Sequence, residues 1–358
     1  MMIDKRISLL ESIITLVEFK EKFRKIGTSF TRNRKLPFAE LVFFLINSCK
    51  KSLQIEIDKF FDFIGDNMEY SKQAMCKARL NILPEGFREL NNVWVKDVYK
   101  EGKINIFNDY RILAIDGTTF ELPYTEELKE EFGEVKNNNG VLKKVLGRGS
   151  ILYDVENTLV IDGILDKYSS NERAMAISHL ETWLEMKKEI NDITKDLVIF
   201  DRGYPAYTLF TSIIHSDQSD FLMRIRKNSF KDTAYLFNPA CKDDDLIITL
   251  RPSTEALLST IKAQGLPQSI KIRFIRVVLD NGDIEVLATS VLDNTLLTTK
   301  DFKLLYHLRW EIETHYDVIK NRHQGHAAFV DGFNKPLLIN QTLLILLTAY
   351  LKISIHLP

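Results

Sequence analysis

Apolar residues recur at intervals of three and four through SLLESIITLVEFK (8–20) and FAELVFFLINSCKKSLQIEIDKFFDFI (38–64). That period puts them on one face of a helix. The first hundred residues therefore read as helical, with Pro37 suited to the first turn of the second helix. SKQAMCKARLNI (71–82) offers Ser71 as an N-cap and carries Lys72, Lys77 and Arg79. Between Lys20 and Lys35 stand seven basic residues and a single acid, Glu21. Such a run fits a solvated helix face and linker as well as it fits a polyanion-binding surface.

Near residue 104 the pattern changes to short apolar runs. YRILAIDGTTFELP (110–123) reads as a strand, then Asp116-Gly117, then a second extended piece. The charged stretch 126–144 contains Asn137-Asn138-Asn139-Gly140, a loop signal. GSILYDVENTLVIDGILDKY (149–168) reads as two strands joined near Glu156–Asn157. The following helix, SSNERAMAISHLETWLEMKKEI, opens at Ser170. DLVIF is a buried strand running into Asp201, PAYTLFTSIIH a helix with Pro205 near its start, and SDFLMRIRK (219–227) a strand ending in Arg224, Arg226 and Lys227. Residues 231–300 are rich in strand signals, Asn281-Gly282 being a hairpin turn. From Asp301 the helical period returns, and a last helical pattern spans about 336–355.

This order predicts a mixed α/β protein. Its catalytic core would be ribonuclease-H-like, interrupted by a β-rich insertion and preceded by a helical N-terminal domain. The expected segments are a helical domain over 1–103, the first part of the core over 104–230 and the β-rich insertion over 231–300. The last core helix falls in 301–330, and a C-terminal helix in 331–358.

Composition changes this picture little. The 358 residues are 45% hydrophobic and 27% charged, with a net charge of −1. The chain is no bulk polycation, so any polyanion must meet local charge. Cys49, Cys76 and Cys241 form no C-x-x-C pair and no zinc spacing with histidines. A reducing, cytoplasmic compartment fits that usage. LLILLTAYL (343–351), the most apolar stretch, falls well short of the roughly 20 residues of a membrane span.

Candidate chemistry lies in three acids. Asp116 and Asp201 each follow an apolar strand run, ILAI and LVIF, and Glu313 falls within the helix from 301. Carboxylates brought to one point repel unless cations neutralise them. Hard oxygen donors suit Mg²⁺ or Mn²⁺, and two such ions form a clamp for phosphodiester chemistry. Each acid alone also fits a duller role: Asp116 in a turn, Asp201 paired with Arg202, Glu313 on a solvated helix. Tyr306, Arg309, Glu313 and Lys320, however, fall on one helical stripe. That is a poor core pattern and a sensible way to bring a metal ligand and two phosphate-binding cations to one place.

Y-(2)-R-(3)-E-(6)-K, complete in Tyr306, Arg309, Glu313 and Lys320, resembles the signature of the DDE transposases of bacterial insertion sequences, specifically the insertion-sequence-4 family. LAIDGTTFELP is similar to that family's first-aspartate motif, VIFDRGYPAY to its second, and LATSVLD (287–293) to the strand before its glutamate helix. The likeness covers nearly the whole chain. It implies Asp116, Asp201 and Glu313 as catalytic residues holding two Mg²⁺ ions, with Mn²⁺ as a substitute. Double-stranded DNA would be the partner, as inverted-repeat ends and as target, bound by a homodimer in the nucleoid. DNA contacts would come from Tyr306, Arg309 and Lys320, with Arg202, Tyr204, Arg224, Arg226, Lys72 and Arg79. Some relatives stack a flipped base on an aromatic residue of the β insertion, for which Phe230, Tyr235, Phe237 and Phe274 are candidates. Two other functions compete: a metal-dependent nuclease without strand transfer, and a domesticated DNA-binding protein without chemistry.

Overall fold

A computed structural model of the chain describes residues 2–32, 36–47, 53–65, 68–122, 124–136, 143–279 and 281–317. Lys320, the 137–140 loop, Cys49 and the helix expected near 336–355 lie outside these residues. The chain opens with six helices: α1 (Met2–Ile14), α2 (Val17–Phe23), α3 (Phe38–Asn47), α4 (Leu53–Phe63), α5 (Lys72–Arg79) and α6 (Glu85–Lys100). Ser71 caps α5 as expected, its side chain accepting from the Ala74 N–H.

A nine-stranded mixed sheet follows. Its strands are β1 (Tyr110–Leu122), β2 (Glu134–Lys136), β3 (Lys143–Asp154), β4 (Leu159–Lys167), β5 (Lys195–Phe200), β6 (Ser219–Ile225), β7 (Asp245–Leu250), β8 (Ile270–Val278) and β9 (Ile284–Thr289). They lie in the order β2-β3-β1-β5-β6-β9-β8-β7, with β4 also pairing β3. β1, β5 and β6 run parallel, and β3 is antiparallel to both β1 and β4. The helices α7 (Glu126–Phe132), α8 (Glu172–Ile190), α9 (Tyr207–Ser216), α10 (Glu255–Ala263), α11 (Thr299–His307) and α12 (Trp310–Asp317) connect or cover them. The centre of the sheet is buried on both faces, so its strands read as unbroken apolar runs: Leu197, Val198, Ile199 and Phe200 are all fully buried. Residues 231–300 do not stand apart from this sheet. β9 pairs with β6, and β8 and β7 continue outward from it.

Three local expectations change. Asp116-Gly117 makes no turn: β1 runs straight through it, because β3 pairs with both residues, Asp116 with Ile151 and Gly117 with Ser150. What stops there is the parallel neighbour β5, whose pairing with β1 ends at Ile115–Phe200. The cap of α8 is Asn171 rather than Ser170; its side chain accepts from the N–H groups of Arg173 and Ala174. The helix expected to run unbroken from 301 is divided at Leu308–Arg309. There the Leu308 and Arg309 N–H groups reach back only three residues, to Leu305 and Tyr306.

Candidate active site

β1 and β5 are parallel neighbours, and Asp201 is the first residue after β5. The register therefore sets Asp116 and Asp201 side by side where β5 stops. Adjacent strands lie about 4.8 Å apart. Asp116 is half-buried, and its Oδ1 accepts from the Gly117 N–H at 2.8 Å. Burial pushes its carboxyl up to about 6. The Gly117 N–H and Arg309 oppose that rise, while Asp201 and Glu313 add to it. Both other acids thus act electrostatically on Asp116. The loop after Asp201 is held by Arg173 of α8, which donates from Nε to the Tyr204 carbonyl and from Nη2 to the Gly203 carbonyl, both at 2.8 Å.

Glu313 is exposed on α12 and bonds Arg309 one turn earlier, Nη1 to Oε1 at 2.7 Å. Arg309 is buried, and its Nε has no partner among the described residues. Its guanidinium lies 5.9 Å from the centre of the Tyr306 ring. α12 is tied to the sheet by Tyr316, whose hydroxyl donates to the Asp116 carbonyl at 2.7 Å.

Two clusters missed in the sequence lie beneath these residues. Arg148 pairs with Glu172, the first residue of α8. Glu172 lies over Gly117, where an added Cβ would come within 3.2 Å of its Oε1, so the glycine clears room for this carboxylate. Next to it runs a chain of bonds: Ser150 Oγ to the Asp116 carbonyl (3.3 Å), His179 Nε2 to Ser150 Oγ (3.0 Å), and His179 Nδ1 to Asp162 (2.7 Å). Arg88 of α6 completes it at Asp162, 3.1 Å away. Burial pushes the Asp162 carboxyl up, but His179 and Arg88 outweigh it and hold it below its ordinary value. Serine, histidine and aspartate here look like a hydrolytic triad. All three are buried, at 1%, 0% and 3% exposure, so no substrate reaches the serine and the chain braces β1.

The other expected site residues scatter. Tyr204 and Tyr306 are buried, their hydroxyls unpartnered among the described residues. Burial raises both phenols. Arg202 is exposed in the turn after Asp201, and Arg226 is exposed beyond β6. Arg224 is half-buried and pairs with Glu285 at 2.7 Å. Lys72 and Arg79 are the end residues of α5, among the helices that precede the sheet. Of the four aromatics, Phe274 is fully buried and Phe230 stacks in the interior against Phe210; Tyr235 is exposed. Trp310 is the exposed aromatic nearest the acids in sequence, 59% exposed and stacked on His307. The stacking aromatics expected from the sequence lie in or beside the β-rich stretch, and this tryptophan is not among them.

The donors suit a divalent cation in kind and charge: three carboxylates face one arginine, leaving excess negative charge. Among the described residues no group of three such side chains is close enough to hold a metal ion. Glu313 is engaged with Arg309 through one carboxylate oxygen.

The family model of the transposase DDE domain matches residues 107–350, more than half of the chain. No curated protein matches significantly. Among solved structures, the chain is similar to that in the cryo-EM structure of a piggyBac transposase synaptic complex with hairpin DNA. The two are 12% identical with a TM-score of 0.47, over 97% of this chain and 74% of that one.

Proposed function

From the premise that this chain belongs to the transposase DDE domain family, and so is a DNA transposase that cleaves DNA and transfers strands, we propose that it cuts at insertion-sequence ends and joins the freed 3′-hydroxyl to target DNA with Asp116, Asp201 and Glu313 as its catalytic carboxylates. The observation that carries this reading is the register of β1 and β5, which sets Asp116 beside Asp201 where β5 stops, with the helix of Glu313 tied to the Asp116 carbonyl through Tyr316. Members of the family use divalent metal ions, generally Mg²⁺. Bound by the three carboxylates, such ions would supply charge neutralisation and activation of the attacking oxygen. Arg309 meanwhile offsets part of the repulsion. Released from Glu313, its guanidinium would take a DNA phosphate, for which its planar fork is suited. Lys320 would do the same further along. Arg202 and Arg226, both exposed, would meet backbone phosphates.

The finer assignment to the insertion-sequence-4 family rests on the complete Y-(2)-R-(3)-E-(6)-K spacing. The order β4-β3-β1-β5-β6, with the first three antiparallel and the last three parallel, supports a ribonuclease-H-like core. We further propose that helices α1–α6 form a DNA-binding front domain, that residues 231–300 are the insertion, and that the protein works as a homodimer in the cytoplasm, where its DNA lies.

The test mixes purified protein with DNA bearing its own terminal repeats, Mg²⁺ and a target plasmid. Cleavage and joined product are expected, and both vanish in Asp201→Ala. Cutting without joining would indicate a nuclease, and undiminished cutting by Asp201→Ala would refute the assignment.

A further inference from the structure

Glu313 has to be held at a set distance from Asp116, and no bond within its own helix can do that; a tie from the helix to the sheet is needed. α12 has eight residues and is divided from α11 by the turn at Leu308–Arg309. A helix this short is marginal on its own and takes its orientation from tertiary contacts. The Arg309–Glu313 pair lies within one turn and cannot fix the helix against the sheet. Ile312 is fully buried and anchors α12 by apolar packing, which has no direction of its own. The directional tie is Tyr316, 6% exposed, whose hydroxyl bonds the backbone carbonyl of Asp116 itself.

Several features make that bond informative. Tyr316 follows Glu313 by three residues, so the two are neighbours on the helix surface. The carbonyl it reaches lies at the first β1 residue past the end of the β5 pairing, where strand bonds on that side have run out. The backbone of Ile151, the register partner of Asp116 on β3, also acts on the phenol oxygen. The phenol thus meets the sheet at the catalytic aspartate and at the strand beside it. Resting on the assignment of the three carboxylates above, we infer that Tyr316 is a positioning residue whose hydroxyl sets the reach between Glu313 and Asp116.

The test is Tyr316→Phe in the full chain, which keeps the ring and removes only the hydroxyl. A misplacement of about 1 Å can cost about 100-fold in rate. The kcat for first-strand cleavage is expected to fall by about 10- to 100-fold, while KM for terminal-repeat DNA stays within about twofold. Mn²⁺ affinity of the DNA-free protein, read by calorimetry, should weaken several-fold. In a Glu313→Gln background the same Tyr316→Phe change should weaken Mn²⁺ no further, because residues acting through one another are not additive. Unchanged kcat and Mn²⁺ affinity in Tyr316→Phe would overturn the inference, as would a full additional loss on top of Glu313→Gln. Normal cleavage by Glu313→Gln itself would instead overturn the carboxylate assignment.

Discussion

β1 and β5 carry charge at both ends, and the two ends treat it in opposite ways. At the end where β5 begins, Arg111 and Asp196 are register partners, both fully buried. Arg111 also pairs with Asp192, and Asp196 accepts from Lys187 Nζ and Trp183 Nε1, each at 2.9 Å. Two cations, Arg111 and Lys187, meet Asp192 and Asp196, and Arg111 also acts on buried Asp154. The guanidinium lies beside two aromatic rings that touch each other, 4.3 Å from the centre of Tyr99 and 4.9 Å from that of Trp183. At the end where β5 stops, three carboxylates face one arginine, and Glu313 is exposed. One end pairs its charges internally and is closed; the other carries excess negative charge and is open. Charge compensated from within contributes to the fold, whereas charge left in excess waits for something from outside.

The strongest way to break this contrast is at the closed end. Arg111→Met should lower the unfolding free energy by about 3–5 kcal/mol, because it strips a buried carboxylate of its main counter-charge. Urea denaturation reads this, and adding Asp196→Leu should recover most of the loss. A cost near zero would mean the closed end is not compensated as described.

At the open end the sign reverses. The Asp116 carboxyl titrates at about 6 in the fold against an ordinary 3.8, so protonation favours the folded state. That stabilisation is complete below pH 3.8 and is lost as pH rises through 6. Asp116→Asn should therefore be more stable than the wild type by about 2 kcal/mol at pH 7.5 without divalent cations, after discounting for partial exposure. The two proteins should converge as pH falls from 6 to 4 in thermal melts. Cleavage should be lost in the same variant.

Mg²⁺ at about ten times its Kd should stabilise the wild type by about 1.4 kcal/mol and leave Asp116→Asn nearly unmoved in a melting series. Smallest of all, Lys195→Ala should cost no more than about 0.5 kcal/mol in urea. Its 2.9 Å bond to Asp220 lies beside the closed end but is half-exposed on the lysine side.

The place of Asp201 just after β5 was legible in the sequence because a strand end is written locally, as an apolar run followed by an acid. The place of Asp116 was read as a strand end too, yet β1 runs on through it. What stops there is the neighbouring strand, which no run of letters around Asp116 records. The division at Leu308–Arg309 left no trace either: YHLRWEIE holds neither proline nor glycine, and the break comes from how the two halves pack. Nothing in the sequence singled out Arg111 or Asp196, which only the strand register pairs. Tyr204 sits in a motif that suggested DNA, yet its ring packs against Phe200 in the interior. Tyr316 and the Ser150–His179–Asp162 chain depend on contacts across 200, 29 and 17 residues of sequence, beyond any periodic pattern.

Tyr99, one of the two rings beside Arg111, belongs to α6, while its hydroxyl bonds Asp154 at the end of β3 at 2.6 Å. Two further side chains of α6 reach β4: Asn91 to the carbonyls of Val160 and Ile161, and Arg88 to Asp162. Peeling that helix away would uncover a buried guanidinium and a buried carboxylate together. α6 and the sheet therefore have no cheap route to melt separately, and calorimetry should register them in a single cooperative transition.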